Sequence, residues 1–155
     1  MKGRMSKLGG IAAATIVGFA TIATLVQAAD PITERRELMK GNGAAMKAIN
    51  EVLEKGGAAS DLQVHADKIH DTSMKVAMLF PAGTDQPQGK DPGQTKANAD
   101  IWQKPDEFAA AVKKFQEESA MFQTAVAGGD MAVIKAEFEK LGGACGGCHK
   151  PFRNK

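Results

Sequence analysis

The chain has 155 residues, with 20 lysines and arginines against 18 aspartates and glutamates. The basic surplus lies at the start: Lys2, Arg4 and Lys7 precede every acid, and the rest of the chain sets 17 basic residues against 18 acidic ones, a net charge of −1. That balance gives no reason to expect nucleic-acid binding. A composition rich in Ala, Lys, Glu and Met, with one tryptophan and no tyrosine, points to helices.

Residues 1–28 have the form of an export signal. A positive start leads into an uncharged run from Leu8 to Val26, and Val26-Gln27-Ala28 places a small residue before a cut at Ala29. The threonines, alanines and glycines of that run are weakly apolar, which favours a cleaved signal over a spanning anchor. The expected mature chain, 29–155, has the size of one domain. A periplasmic location follows from the export signal.

Four helical segments are expected within it. The first opens at Asp30-Pro31, with the acid as N-cap and the proline at the first helical position, and stops at Gly56-Gly57. Its stripe is Ile32, Arg36, Met39, Gly43, Met46, Asn50 and Leu53, imperfect because it carries Arg36 and Asn50, with Leu38, Ile49 and Val52 widening the apolar face. The second runs from Ser60 or Asp61 to Phe80-Pro81, with Leu62, Ala66, Ile69, Ser73, Val76 and Phe80 on one face. A long connection follows to Lys104. Its prolines and glycines argue against regular structure in the first half, and Ile101-Trp102 read as an apolar anchor.

The third segment starts at Pro105-Asp106-Glu107 and carries Phe108, Val112, Phe115, Ser119, Phe122 and Val126. The fourth is capped by Asp130 and carries Ile134, Phe138, Leu141, Cys145, Cys148 and Phe152. Four stripes alternating by four and three imply an all-α fold, an antiparallel up-down four-helix bundle. His65 and His70 read as helix-surface residues.

Cys145-Gly146-Gly147-Cys148-His149 carries the chemistry. Two thiols with two residues between them, followed by an imidazole, form an attachment site for a c-type haem. Each thiol adds across one vinyl group on the same ring edge, and the imidazole supplies an axial nitrogen to iron. A thioredoxin-type pair would need a βαβ setting, and a zinc site would need four ligands. Both cysteines lie on the core-facing seam of the last helix, with His149 one turn past Cys145. The haem is therefore expected inside the bundle. Gly142-Gly143 and Gly146-Gly147 weaken that helix, and Pro151 is expected to bend its last turn.

The closing run Gly-Gly-Ala-Cys-Gly-Gly-Cys-His-Lys-Pro-Phe-Arg resembles the class II c-type cytochromes, the cytochrome c′ superfamily. The resemblance covers the whole expected mature chain and implies one covalently attached haem c. It implies that Arg153, four residues after His149, neighbours a haem propionate. In helix one the family places an arginine four residues before the distal residue, which Arg35 and Met39 match. Arg35 is then a second propionate neighbour, with Arg36 as the fallback. The run from Glu37 to Gly43 looks like the low-spin branch, in which a methionine, here Met39, is the sixth ligand.

That branch implies a single-electron carrier in the periplasm, not an enzyme, with His149 and Met39 on the iron and a periplasmic or membrane-bound redox partner protein. The alternative is a five-coordinate protein binding NO or CO, as in cytochrome c′ itself. The family implies a monomer or a homodimer packed through the first two helices.

Overall fold

A computed structural model of the chain describes residues 30–85 and 94–155. The expected signal, 1–28, and part of the long connection lie outside the described residues. The elements are α1 (Pro31–Lys55), a 3-10 turn (Ala59–Leu62), α2 (Gln63–Lys75), a second 3-10 turn (Val76–Leu79), the short α3 (Asp100–Gln103), α4 (Pro105–Gly128) and α5 (Met131–Phe152). The expected second segment is thus one α-helix flanked by tighter turns. Pro81, which disfavours helix in the residue before it, follows its end.

Local chemistry sets the helix ends. The Asp30 carboxylate accepts hydrogen bonds from the Thr33 amide at 3.0 Å and the Thr33 hydroxyl at 2.8 Å, while Pro31 opens α1. Gly56 closes α1 with φ 69°, a left-handed conformation in which a Cβ would be strained. Asp130 caps α5 by accepting from the amides of Ala132 and Val133.

The bundle is built from α1, α2, α4 and α5. Helix α4 packs against α5 and α2, and α2 against α1, whereas α1 and α5 do not pack closely. Ile49, Leu62, Ile69, Phe122, Ile134 and Leu141 form the fully buried centre. The expected faces of α2, α4 and α5 are the ones that turn inward. Helix α5 stays helical through both glycine pairs and past Pro151 to Phe152.

The inward face of α1 differs from expectation. Its buried residues are Ile32, Arg35, Asn42, Ala45 and Ile49, while Arg36, Gly43 and Asn50 are exposed. Two inward positions are polar because they face the long connection and a cavity instead of apolar core. The guanidinium of Arg35 is buried and donates to Leu79 O at 3.2 Å, to Thr84 Oγ1 at 2.8 Å, to Thr95 Oγ1 at 2.5 Å and to Thr84 O. It also lies 4.9 Å from the centroid of Phe80. Burial lowers its pKa, and Asp30 and Asp85 act in the opposite direction.

The far end of the connection is pinned to the C-terminus. Ala97 pairs with Arg153 in an antiparallel bridge, with Asn98 N donating to Phe152 O and Asn154 N to Lys96 O. Ile101 on α3 is buried beside Ala97 and Phe152, as the apolar anchor expected there.

Replacing Arg35 by alanine strips partners from the Leu79 and Thr84 carbonyls. We expect Arg35→Ala to destabilise the holoprotein by about 3 kcal/mol in denaturant melts, at ~1–3 kcal/mol for each group left unsatisfied. Arg36→Ala, one residue along on the exposed side, should stay within about 0.5 kcal/mol. Equal losses in the two variants would contradict the observed register.

Candidate functional site: a cavity between the first and last helices

Because α1 and α5 stand apart, a cavity of about 650 Å³ opens between them. It falls within the ~300–1,000 Å³ usual for cofactor sites. Its walls include all six residues singled out from the sequence: Cys145, Cys148, His149, Met39, Arg35 and Arg153. The structure brings them together from opposite ends of the chain.

The alignment of the two helices explains the gathering. A Cβ on Gly142 would lie 3.9 Å from Met46 Cε, so those positions face each other. The two helices run antiparallel, so a step back along α1 matches a step forward along α5, at ~1.5 Å per residue on each. Asn42 then stands level with the Cys145–Cys148 turn, Met39 with His149, and Arg35 with Arg153.

Cys145 and Cys148 are half-buried and sit one turn apart on α5. Burial raises the pKa of both, that of Cys148 to about 11, with Cys145 adding to the effect. Thiols held protonated in this way are unlike the low-pKa cysteines of redox pairs and catalytic nucleophiles. Among the described residues there is no group of three or more His, Cys, Asp or Glu that could hold a metal ion. The neutral thiol pair suits thioether formation at one ring edge. A Cβ on Gly146 or Gly147 would meet nothing within 4 Å, so the helix leaves open space beside both thiols.

His149 is an exposed residue at the cavity mouth. Partial desolvation lowers its pKa, with the Arg153 charge acting the same way. A lowered pKa keeps the imidazole neutral to a lower pH, and a neutral ring nitrogen is what an iron ligand must present. The Arg153 side chain is exposed while its backbone is held by the bridge to Ala97.

Arg35 does more than expected. Four of its five N–H groups are taken by the Leu79 carbonyl, Thr84 and Thr95, leaving Nε–H for anything in the cavity. Met39 is half-buried and packs against the main core.

Several walls were not foreseen. Phe80, Phe108 and Phe152 form an edge-to-face chain, with centroids 5.0 Å and 5.3 Å apart, and all three line the cavity. Trp102 Nε1 fixes Phe80 by donating to its carbonyl at 3.0 Å. Asn42 lines the cavity with its carbonyl oxygen buried and unpartnered. His70 was expected on the surface. It is instead half-buried, with Nδ1 3.3 Å from Ser119 Oγ, in a polar seam with Ser73 between α2 and α4.

The fold and the thiol–imidazole set define a four-helix-bundle c-type cytochrome. Residues 30–153 match the family profile described as Cytochrome C′, and the chain belongs to that family. It is 33% identical to the cytochrome c′ of Rhodospirillum rubrum over 86% of this chain and 90% of that one. It superposes on the solved cytochrome c′ of Rhodopseudomonas palustris with a TM-score of 0.67 at 31% identity, covering 81% and 97% of the two chains. A further solved cytochrome c′, described as having an unusual ligand-controlled dimer dissociation, gives a TM-score of 0.75 at 23% identity, covering 81% and 95%. The cofactor is one covalently attached haem c.

These findings correct one expectation. The family profile and the relatives of Rhodospirillum rubrum and Pararhodospirillum photometricum are cytochromes c′, so a low-spin electron carrier with His149 and Met39 both on the iron is overturned in favour of the five-coordinate alternative. The physical reason is that the spacing from Arg35 fixes where residue 39 sits on α1 and not whether its sulfur bonds to iron. A thioether fills an apolar wall equally well.

Replacing both cysteines by alanine should leave the haem extractable into acidified organic solvent, while the wild type keeps its colour in the protein fraction. Retention of colour by Cys145→Ala/Cys148→Ala would contradict the assignment.

Proposed function

We propose that this protein binds NO or CO in the periplasm, with His149 as the one protein ligand to iron. When bound, the haem would supply an iron centre able to take a diatomic ligand. The supporting observation is an apolar patch of the cavity across from His149, Met39 and Met46 of α1 with Val76 and Phe115. Such a patch favours a small neutral ligand over a charged one.

The chain's residues have separable tasks in this reading. Cys145 and Cys148 would hold the ring edge to α5, and His149 would give its neutral nitrogen to the iron. Met39 would stand across the cavity as a wall. Arg153 and the Nε–H of Arg35 lie where propionates would be met. A cytochrome c prime variant of Alcaligenes xylosoxidans, a structural neighbour at 20% identity, has been solved as its nitric oxide complex. The periplasmic location rests on the export signal, and no helix among the described residues is long and apolar enough to cross a membrane. A monomer that pairs as a homodimer fits the ligand-controlled dimer of one neighbour.

Anaerobic titration of the dithionite-reduced holoprotein with CO tests the reading. Broad high-spin bands that sharpen and shift on CO addition are the expected result. Sharp bands indifferent to CO would contradict it.

A further inference from the structure

We propose that α2 carries a soft-metal site outside the haem cavity, in which the imidazole of His70 and the thioethers of Met74 and Met78 bind one copper(I) ion. None of the three lines the cavity between α1 and α5.

Spacing brings the donors together. His70, Met74 and Met78 recur at intervals of four along α2 and the 3-10 turn that continues it. Helical residues four apart stand about 5–6 Å apart at Cβ. Long side chains lean toward the N-terminus of their helix, so Met74 leans toward His70 and Met78 toward Met74. The tighter turn swings Met78 further round the axis, and the rotatable bonds of a methionine can take up that difference. Neither thioether is spent on packing. Met74 is 56% exposed, and Met78, at 74%, is the most exposed large apolar side chain among the described residues.

The hydrogen bonds behind His70 decide which ring nitrogen is free. Ser73 Oγ donates to His70 O at 2.7 Å. The single hydrogen of Ser119 Oγ serves Ser73 Oγ or Gln116 O, each at 2.9 Å. With both hydroxyl hydrogens spent, Ser119 Oγ is left as the acceptor for Nδ1, 3.3 Å away. Nδ1 then carries the proton, and the lone pair of the neutral ring lies on Nε2. Nε2 has no hydrogen-bond partner among the described residues. An imidazole held at one N–H by an oxygen, with the other nitrogen open, is the usual form of a metal-ligating histidine. Both serines are fully buried between α2 and α4, so that backing is fixed.

The donor set selects the metal. Zinc and calcium sites are built from thiolates, imidazoles and carboxylates, and no group of three or more His, Cys, Asp or Glu among the described residues could hold an ion. Asp67, one turn before His70, already accepts from the side-chain amides of Gln63 and Gln123. One imidazole with two thioethers is instead a soft set, which favours copper(I).

The test adds copper(I), kept reduced by excess ascorbate under argon, to the holoprotein in competition with a chromogenic copper(I) chelator. The methionine methyls are isotope-labelled and followed by NMR. One ion should bind, moving the methyl signals of Met74 and Met78 and leaving those of Met121 and Met131 in place. Met74→Leu and Met78→Leu, at exposed positions where folding is not at stake, should each weaken binding about tenfold or more, since even an outer-shell partner is worth ~10–100-fold. Met121→Leu, at a similarly exposed position on α4, should bind as the wild type does. Wild-type signals of Met74 and Met78 that ignore copper(I) would overturn the proposal without any variant. So would undiminished affinity in Met74→Leu and Met78→Leu, or zinc(II) moving the same two signals as copper(I) does.

Discussion

The buried guanidinium of Arg35 is the tie on which the cavity depends. It is fixed to α1 and grips the chain at Leu79, Thr84 and Thr95. Thr95 in turn accepts from the Ala97 amide at 3.1 Å, and Ala97 pairs with Arg153 at the end of α5. One cation thus links the first helix to the last although the two do not pack closely. Close α1–α5 packing would fill the space; a link through the connection spans it. A buried cation is costly unless its donors are met, and here four oxygens and the face of Phe80 meet it.

Everything else at the site follows from that separation. Helix α5 can present two thiols and an imidazole from one face because nothing from α1 occupies the space beside them. The phenylalanine chain and Ile101 seal the cavity from below the connection, and Trp102 holds Phe80 in line through its indole N–H. The apolar residues of α1 then stand across from His149. The geometry places the two thiols and the imidazole on α5 and the residues that face them on α1.

Much of this was legible in the sequence, for physical reasons that differ by element. Helices α2, α4 and α5 bury apolar side chains, so their spacing gave the inward face directly. On helix α1 the apolar part of the expected face turns inward, but Arg36 and Gly43 were expected where Arg35 and Asn42 are buried, because a pattern of hydrophobicity assigns those two to solvent. The haem-binding run was plain because covalent attachment fixes both residue type and spacing. Met39 was placed correctly on the cavity wall, but its chemistry was not, since position along a helix does not decide coordination. The roles of Thr84, Thr95 and Phe80 depend on a connection whose path no local rule sets. The same holds for the burial of His70 against Ser119, which arises from the packing of α2 on α4.

The central claim is that His149 is the one protein ligand to the iron. Electron paramagnetic resonance of the ferric holoprotein in frozen neutral solution tests it most directly. The account predicts an axial high-spin signal, from iron with no strong ligand on the α1 side. A rhombic low-spin signal would place a second strong ligand there, with the Met39 sulfur in position to be it, and would contradict the account.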